Sequence, residues 1–88
     1  MNIQDPIPAG ALLVDLRDRE DYEAGHLPGA RHMTVDEIRQ EAEEDTRILL
    51  YCYHGIRSLK AALFLKAAGY PNAESLGGIS GYHGPLMK

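Results

Sequence analysis

The run Ile48–Cys52, ILLYC, is apolar at nearly every position and shows no alternation of buried and wetted side chains. A strand with one face in water alternates, whereas a strand covered on both faces in a parallel sheet is apolar throughout. Arg47–Cys52 is therefore predicted to be a central strand with a layer on either side. Such a sheet needs right-handed crossovers, and the flanking sequence alternates between strand-like and helix-like segments. Leu12–Leu16 (LLVDL) is short and β-rich, RDREDYEAG reads as a loop with one helical turn ending near Gly25, and LPGARHM supplies a Pro-Gly turn and a short strand. In TVDEIRQEAEED, Thr34 precedes Glu37 at capping-box spacing, and Val35, Ile38 and Ala42 share one side of a helix that turns its acids outward. SLKAALFLKAAG carries a broad apolar stripe from a start near Ser58 to a stop at Gly69. AESL reads as the last strand, Gly77–Gly78 as a turn and ISGYHG as a final helical turn. The expected fold class is α/β, with a small, mostly parallel central sheet of about four strands flanked by helices.

A chain of 88 residues buries only about 60 to 65% of its unfolded surface and cannot support two cores, so residues 1–88 are expected to form a single domain. A hydrophobic share of 44% and a charged share of 25% set aside disordered, collagenous and disulfide-scaffold classes. The net charge of -4 offers no basic face for a phosphate backbone, and an anionic small substrate needs positive charge concentrated locally. No apolar run approaches the ~18 residues that cross a bilayer, since LKAALFLKAAG is broken by Lys60 and Lys66. Neither nucleic acid nor membrane is an expected partner. The lone cysteine makes no internal disulfide, and MNIQDPIPAG lacks the basic and apolar regions of a secretory signal, so the reducing cytoplasm is the expected compartment.

A free cysteine is more often a buried packing thiol than a nucleophile. Cys52 departs from that default by position. It falls at the carboxyl end of the most apolar strand, where open α/β sheets bind ligands, directly before the loop YHGIRS and a helix. A thiol attacks as its thiolate, and the unpaired amides of a helix start supply the positive potential that favours the anion. Gly55 lets the backbone curl inward, Arg57 adds a permanent cation, and Ser58 caps the helix or bonds the bound group. Other duties stay open for three of these residues. Gly55 also suits a plain turn, Ser58 a plain N-cap, and His54 either an idle exposed loop position or a charge beside Cys52. Arg57 is different, because packing alone does not require a cation five positions after a strand-end cysteine.

With those residues in place, the chain resembles a single-domain rhodanese, a sulfurtransferase. LLVDLRDREDYEAGHLPGARHM is similar to that family's strand with Asp-x-Arg, followed by an acidic helix and a Gly-His-hydrophobic-Pro-Gly-Ala segment, matched by Gly25, His26, Leu27, Pro28, Gly29 and Ala30. CYHGIRS resembles its active loop, Cys-x-x-Gly-x-Arg-Ser, and AALFLKAAGYPNAESLGGISGY its following helix, Gly-Tyr and Leu-x-Gly-Gly segment. The chain departs in two places. The stretch before Leu12 is shorter than the opening strand and helix of many relatives, and Tyr82 stands where the closing motif often has tryptophan.

The resemblance implies a rhodanese-like three-layer fold and a two-step transfer. Cys52 takes sulfane sulfur from a small anionic donor such as thiosulfate, and the persulfide passes it to an external thiol or protein acceptor, or to cyanide in vitro. Tyr53, His54, Gly55, Ile56, Arg57 and Ser58 form the substrate-binding loop, with no cofactor and no metal. Asp15 and Arg17 are read as a pair within the framework, His26 as ordering the loop before Pro28, and Tyr82 and His83 as either closing the pocket mouth or packing the terminus. Two other functional classes compete. Cysteine phosphatases and arsenate reductases resemble Cys-x5-Arg, but only four residues separate Cys52 from Arg57, giving a smaller cradle that suits one sulfur better than a phosphoryl group. A non-turnover persulfide carrier or a rhodanese-like protein-binding module is the other.

Overall fold

The computed structural model describes residues Met1–Lys88. Four strands, β1 (Leu12–Asp15), β2 (Arg31–His32), β3 (Ile48–Cys52) and β4 (Ala73–Gly78), form one sheet in the order β2-β1-β3-β4. Every pairing is parallel. The crossovers carry α1 (Arg19–Ala24), α2 (Val35–Glu41) and α3 (Ile56–Ala67), and a 3-10 turn at Ile79–Gly81 follows β4. The α/β architecture expected from the central apolar run is the one observed.

β3 is buried at every residue because the sheet is covered on both faces. Ile48 and Leu50 pack with Val14, Ile38, Ala62 and Leu65 under α2 and α3, while Leu49 and Tyr51 pack with Ile3, Leu13, Leu27 and Leu76 on the opposite face. Alternation along the strand turns Cys52 to the same face as Ile48 and Leu50. Each fully buried Leu or Ile contributes about 1.5–3 kcal/mol of transfer free energy, so these two small clusters supply most of what holds the layers together. The short opening stretch forms no strand or helix, but Ile3 and Ile7 pack into the second cluster and close that face.

Some boundaries differ from expectation. The capping box at Thr34 is present, with the Glu37 amide donating to Thr34 Oγ1 at 3.1 Å and the Thr34 amide to Glu37 Oε1 at 2.9 Å, yet α2 ends at Glu41, well short of Asp45. Helix α3 starts at Ile56 with Gly55 as its N-cap, two residues before Ser58. Gly77 and Gly78 belong to β4 and do not form a separate turn. A register shift between Leu50 and Tyr51 pairs Leu50 with Ser75 and Tyr51 with Gly77, leaving Leu76 as an extra residue. Gly77 absorbs that bulge at φ +97°, where a side chain is strained.

At the end of β1, the Asp15 carboxylate is fully buried and takes two bonds from Arg17 Nε at 3.1 Å, one from Nη2 at 2.7 Å and one from the Arg17 amide at 2.8 Å. Arg17 Nη2 also donates to the Gly25 carbonyl at 2.7 Å, so the pair ties the end of β1 to the end of α1. Burial opposes the guanidinium charge, but Asp15 more than offsets it and Arg17 holds its proton more firmly than a free arginine. This is the framework pair anticipated for Asp15 and Arg17. Removing one partner of such a pair strands a buried charge. Asp15→Ala is expected to cost about 3 kcal/mol in urea unfolding; a loss below about 1 kcal/mol would show that Arg17 escapes to solvent.

Candidate active site

The loop after β3 reverses the chain sharply enough that the first amides of α3 face back toward Cys52. Gly55 makes this possible at φ +97°, a left-handed conformation. A β-carbon at Gly55 would also stand 3.2 Å from the Gly77 backbone. From that turn, the Gly55 amide donates to Cys52 Sγ at 3.1 Å and the Ser58 amide at 3.4 Å. Ser58 Oγ lies 3.5 Å from the same sulfur and its side chain is fully buried. Burial pushes the Cys52 thiol up, but bonds from the Ser58 hydroxyl and from the Ser58, Gly55 and Arg57 amides outweigh it, so the thiol sits below its ordinary value.

The loop residues divide by what they face. Gly55 and Ser58 touch the sulfur, whereas Tyr53, His54, Ile56 and Arg57 join Cys52 around a shallow cleft of about 150 Å³. Cys52 is 2% exposed, so a reagent reaches it only through that cleft. Arg57 is exposed and forms no ion pair, which leaves its charge free at the mouth. Tyr53 and His54 stand edge to face with ring centroids 4.5 Å apart.

The other sequence candidates lie outside the cleft. His26 stacks on Tyr22 at 3.9 Å and shares a 2.8 Å bond between Nδ1 and the Tyr22 carbonyl, which anchors the segment before Pro28 as anticipated. Tyr82 packs against the second core cluster and donates to the Pro85 carbonyl at 3.0 Å, and the His83 amide binds Gln4 Oε1 at 2.8 Å. Of the two roles open to these residues, packing the terminus is the one observed. No group of three or more His, Cys, Asp or Glu side chains is arranged to hold a metal.

Sequence reading gave no duty to the residues that support the loop from below. Gly78 packs so closely that a β-carbon there would overlap the Tyr53 carbonyl and come within 2.7 Å of His54 Cα. The Ser80 amide donates to the Tyr53 carbonyl at 3.1 Å. Ser75 on β4 reaches Ser58 Oγ at 2.7 Å. The Leu76-Gly77-Gly78 run was the available signal for the glycines. Nothing local marked Ser75, whose place depends on how β4 registers with β3.

Comparison with known proteins places this arrangement in a family. The model of the Rhodanese-like domain matches residues 2–84. The chain belongs to the rhodanese-like family. It is 40% identical over 72 residues to the thiosulfate sulfurtransferase GlpE of Pseudomonas entomophila, an alignment covering 78% of this chain and 66% of that protein, and 38% identical over the same spans to GlpE of Pseudomonas fluorescens. This rhodanese-like chain thus spans just under two thirds of the length of those relatives. Among solved structures, the Rhodanese_3-like domain of the Anabaena protein Alr3790 superposes with a TM-score of 0.77 at 27% identity, covering 89% of this chain and 99% of that one. A human single-domain sulfurtransferase gives 0.62 at 26% identity, covering 78% and 76%.

The lowered thiol has a consequence for stability. Between the folded and unfolded pKa values the unfolded state binds more protons, so folding gains from rising pH. The contribution is full above the unfolded value and gone once pH falls below the folded one. The difference in unfolding free energy between the native protein and Cys52→Ser is therefore expected to grow with pH and level off above the ordinary thiol pKa of about 8.5. A pH-independent difference in urea melts would show that the fold does not prefer the thiolate.

Proposed function

We propose that the protein is a sulfurtransferase in which the Cys52 thiolate carries sulfane sulfur between an anionic donor and an external acceptor. The observation that carries this reading is the convergence of the Gly55 and Ser58 amides on the Cys52 sulfur, at the end of a strand and the start of a 12-residue helix. The sulfurtransferase names of its relatives support it.

With thiosulfate as donor, the thiolate attacks the sulfane sulfur, the new S–S bond forms and the bond to the sulfonate breaks with its electron pair leaving as sulfite. The product is an anionic persulfide. Amides that favour the thiolate also favour the persulfide charge, without moving between steps. Arg57 at the cleft mouth offsets the repulsion between an anionic donor and an anionic sulfur. The chain has one cysteine, so no internal thiol resolves the persulfide. An external nucleophile, a thiol or cyanide in vitro, takes the terminal sulfur and returns the Cys52 thiolate.

Intact mass after thiosulfate treatment is expected to rise by one sulfur atom and to fall back with cyanide as thiocyanate appears. Cys52→Ser should gain nothing while remaining folded; loading of that variant would overturn the assignment. Loading that persists in cyanide would point to a carrier. Arg57→Ala is expected to lower kcat/KM for thiosulfate about tenfold, the scale of one hydrogen bond to a charged group, with little change in melting temperature. A large stability loss with unchanged kinetics would make Arg57 structural.

A further inference from the structure

Cys52, Ser58 and Ser75 form a line of polar side chains running from β3 through α3 to β4. Ser58 Oγ is 3.5 Å from Cys52 Sγ and 2.7 Å from Ser75 Oγ, and Ser75 Oγ accepts the Gly77 amide at 3.1 Å. Ser58 has a single hydroxyl hydrogen. Four acceptors compete for it: the sulfur, Ser75 Oγ, the Gly55 carbonyl at 3.1 Å and the Gly77 carbonyl at 3.3 Å.

The 2.7 Å contact between the two hydroxyls settles part of this competition. When Ser75 is its donor, Ser58 Oγ accepts there and keeps its own hydrogen for another partner. A thiolate is then the best of the remaining acceptors, because a charge-assisted bond is stronger than one to a neutral carbonyl. When Cys52 is protonated, its S–H donates to Ser58 Oγ and the Ser58 hydrogen turns to Ser75. Reversing one hydrogen bond thus satisfies both states of the sulfur, but Ser75 stabilises the thiolate state more, because there it donates to a hydroxyl that is itself polarised by an anion.

We propose that Ser75 is a positioning residue for the nucleophile: its hydroxyl directs the Ser58 hydrogen onto the Cys52 sulfur. The proposal rests on the reading of Cys52 as the nucleophile. Ser75 does not meet the substrate cleft; it is half-buried and lines a separate cleft of about 570 Å³ with Gly55, Ile56, Leu59, Lys60 and Gly77. The charged or titratable groups lining the two clefts beside this line are Tyr53, His54 and Arg57 on the loop, Lys60 on α3 and the chain-terminal Met1. Glu74 of β4 is paired with Arg47 at 3.6 Å and with the Met1 amino group at 2.6 Å. None of these contacts either hydroxyl, so the Ser58–Ser75 bond is the local device that orients the hydrogen.

The test compares Ser75→Thr with Ser75→Val, two variants of one shape that differ by the hydroxyl. The readout is the pH profile of Cys52 alkylation by iodoacetamide, followed by intact mass. The Thr variant is expected to titrate as the native protein does. The Val variant should titrate about half a pH unit higher, with alkylation roughly threefold slower below the midpoint. Ser75→Ala, which adds no volume, is expected to follow Val, and Ser58→Ala should erase the difference between Thr and Val. Coincident Thr and Val profiles, or a difference undiminished in the Ser58→Ala background, would overturn the proposal. Alkylation reads the thiolate without any sulfur donor, so this outcome is separate from whether thiosulfate loads Cys52.

Discussion

The site depends on a helix that begins without a side-chain cap. The first amides of α3 have no carbonyl partners, and at most helix starts a Ser, Thr, Asp or Asn side chain takes one of them. Gly55 stands at that position and offers nothing. The acceptor comes instead from the preceding strand, because Cys52 Sγ receives the Gly55 and Ser58 amides. The sulfur is in effect the cap of α3. Donors that would otherwise need solvent are satisfied by the Cys52 sulfur, so one set of bonds both caps the helix and favours the thiolate.

That arrangement works only if the end of β3 and the start of α3 are held at fixed separation, and two different devices hold them. Below the loop, the β4 bulge brings Gly77 and Gly78 against the backbone of residues 53–55 with no side chain between them. Beside it, the Asp15–Arg17 pair fixes the end of β1, which hydrogen-bonds to β3 as far as Tyr51. Tyr51 links the two regions. Its hydroxyl accepts the Leu27 amide at 3.1 Å, and its ring lies 5.8 Å from the Arg17 guanidinium. Burial, together with the neighbouring Asp15 carboxylate, pushes its phenol well above the usual range despite the Leu27 bond, so it stays a neutral strut.

Local pattern made the strands, the buried character of β3, the capping box and the position of the loop after Cys52 legible from the sequence. What it missed follows from long-range geometry. The early start of α3 depends on Gly55 adopting a left-handed turn, whereas Ser58, the obvious capping residue, points into the sheet. Gly77–Gly78 has the composition of a turn, and only the register of β4 on β3 turns it into a strand end with a bulge. Ser75 has no sequence signature, because its neighbour Ser58 lies 17 positions away and meets it through that same register. Asp15 and Arg17 were readable as a pair because a two-residue spacing at a strand end is itself a local motif.

The charge distribution bears on how such a chain admits an anion. Its net charge is -4, yet α3 carries Arg57, Lys60 and Lys66 and no acid. Screening at physiological salt has a length of about 8 Å, so charges several turns away contribute little at the cleft mouth. Lys66, nine residues beyond Arg57, lies about 13 Å along the helix and is largely screened. The local balance is therefore set by Arg57, by Lys60 one turn further along α3 and by the helix-start amides, and these act in one direction. An acidic protein can receive an anionic reagent when the nearest acid, Asp15 opposite Tyr51, is neutralised by Arg17 and an unpaired guanidinium stands at the entrance. The residue that matters for such a reagent is then the single exposed cation that the cleft itself presents.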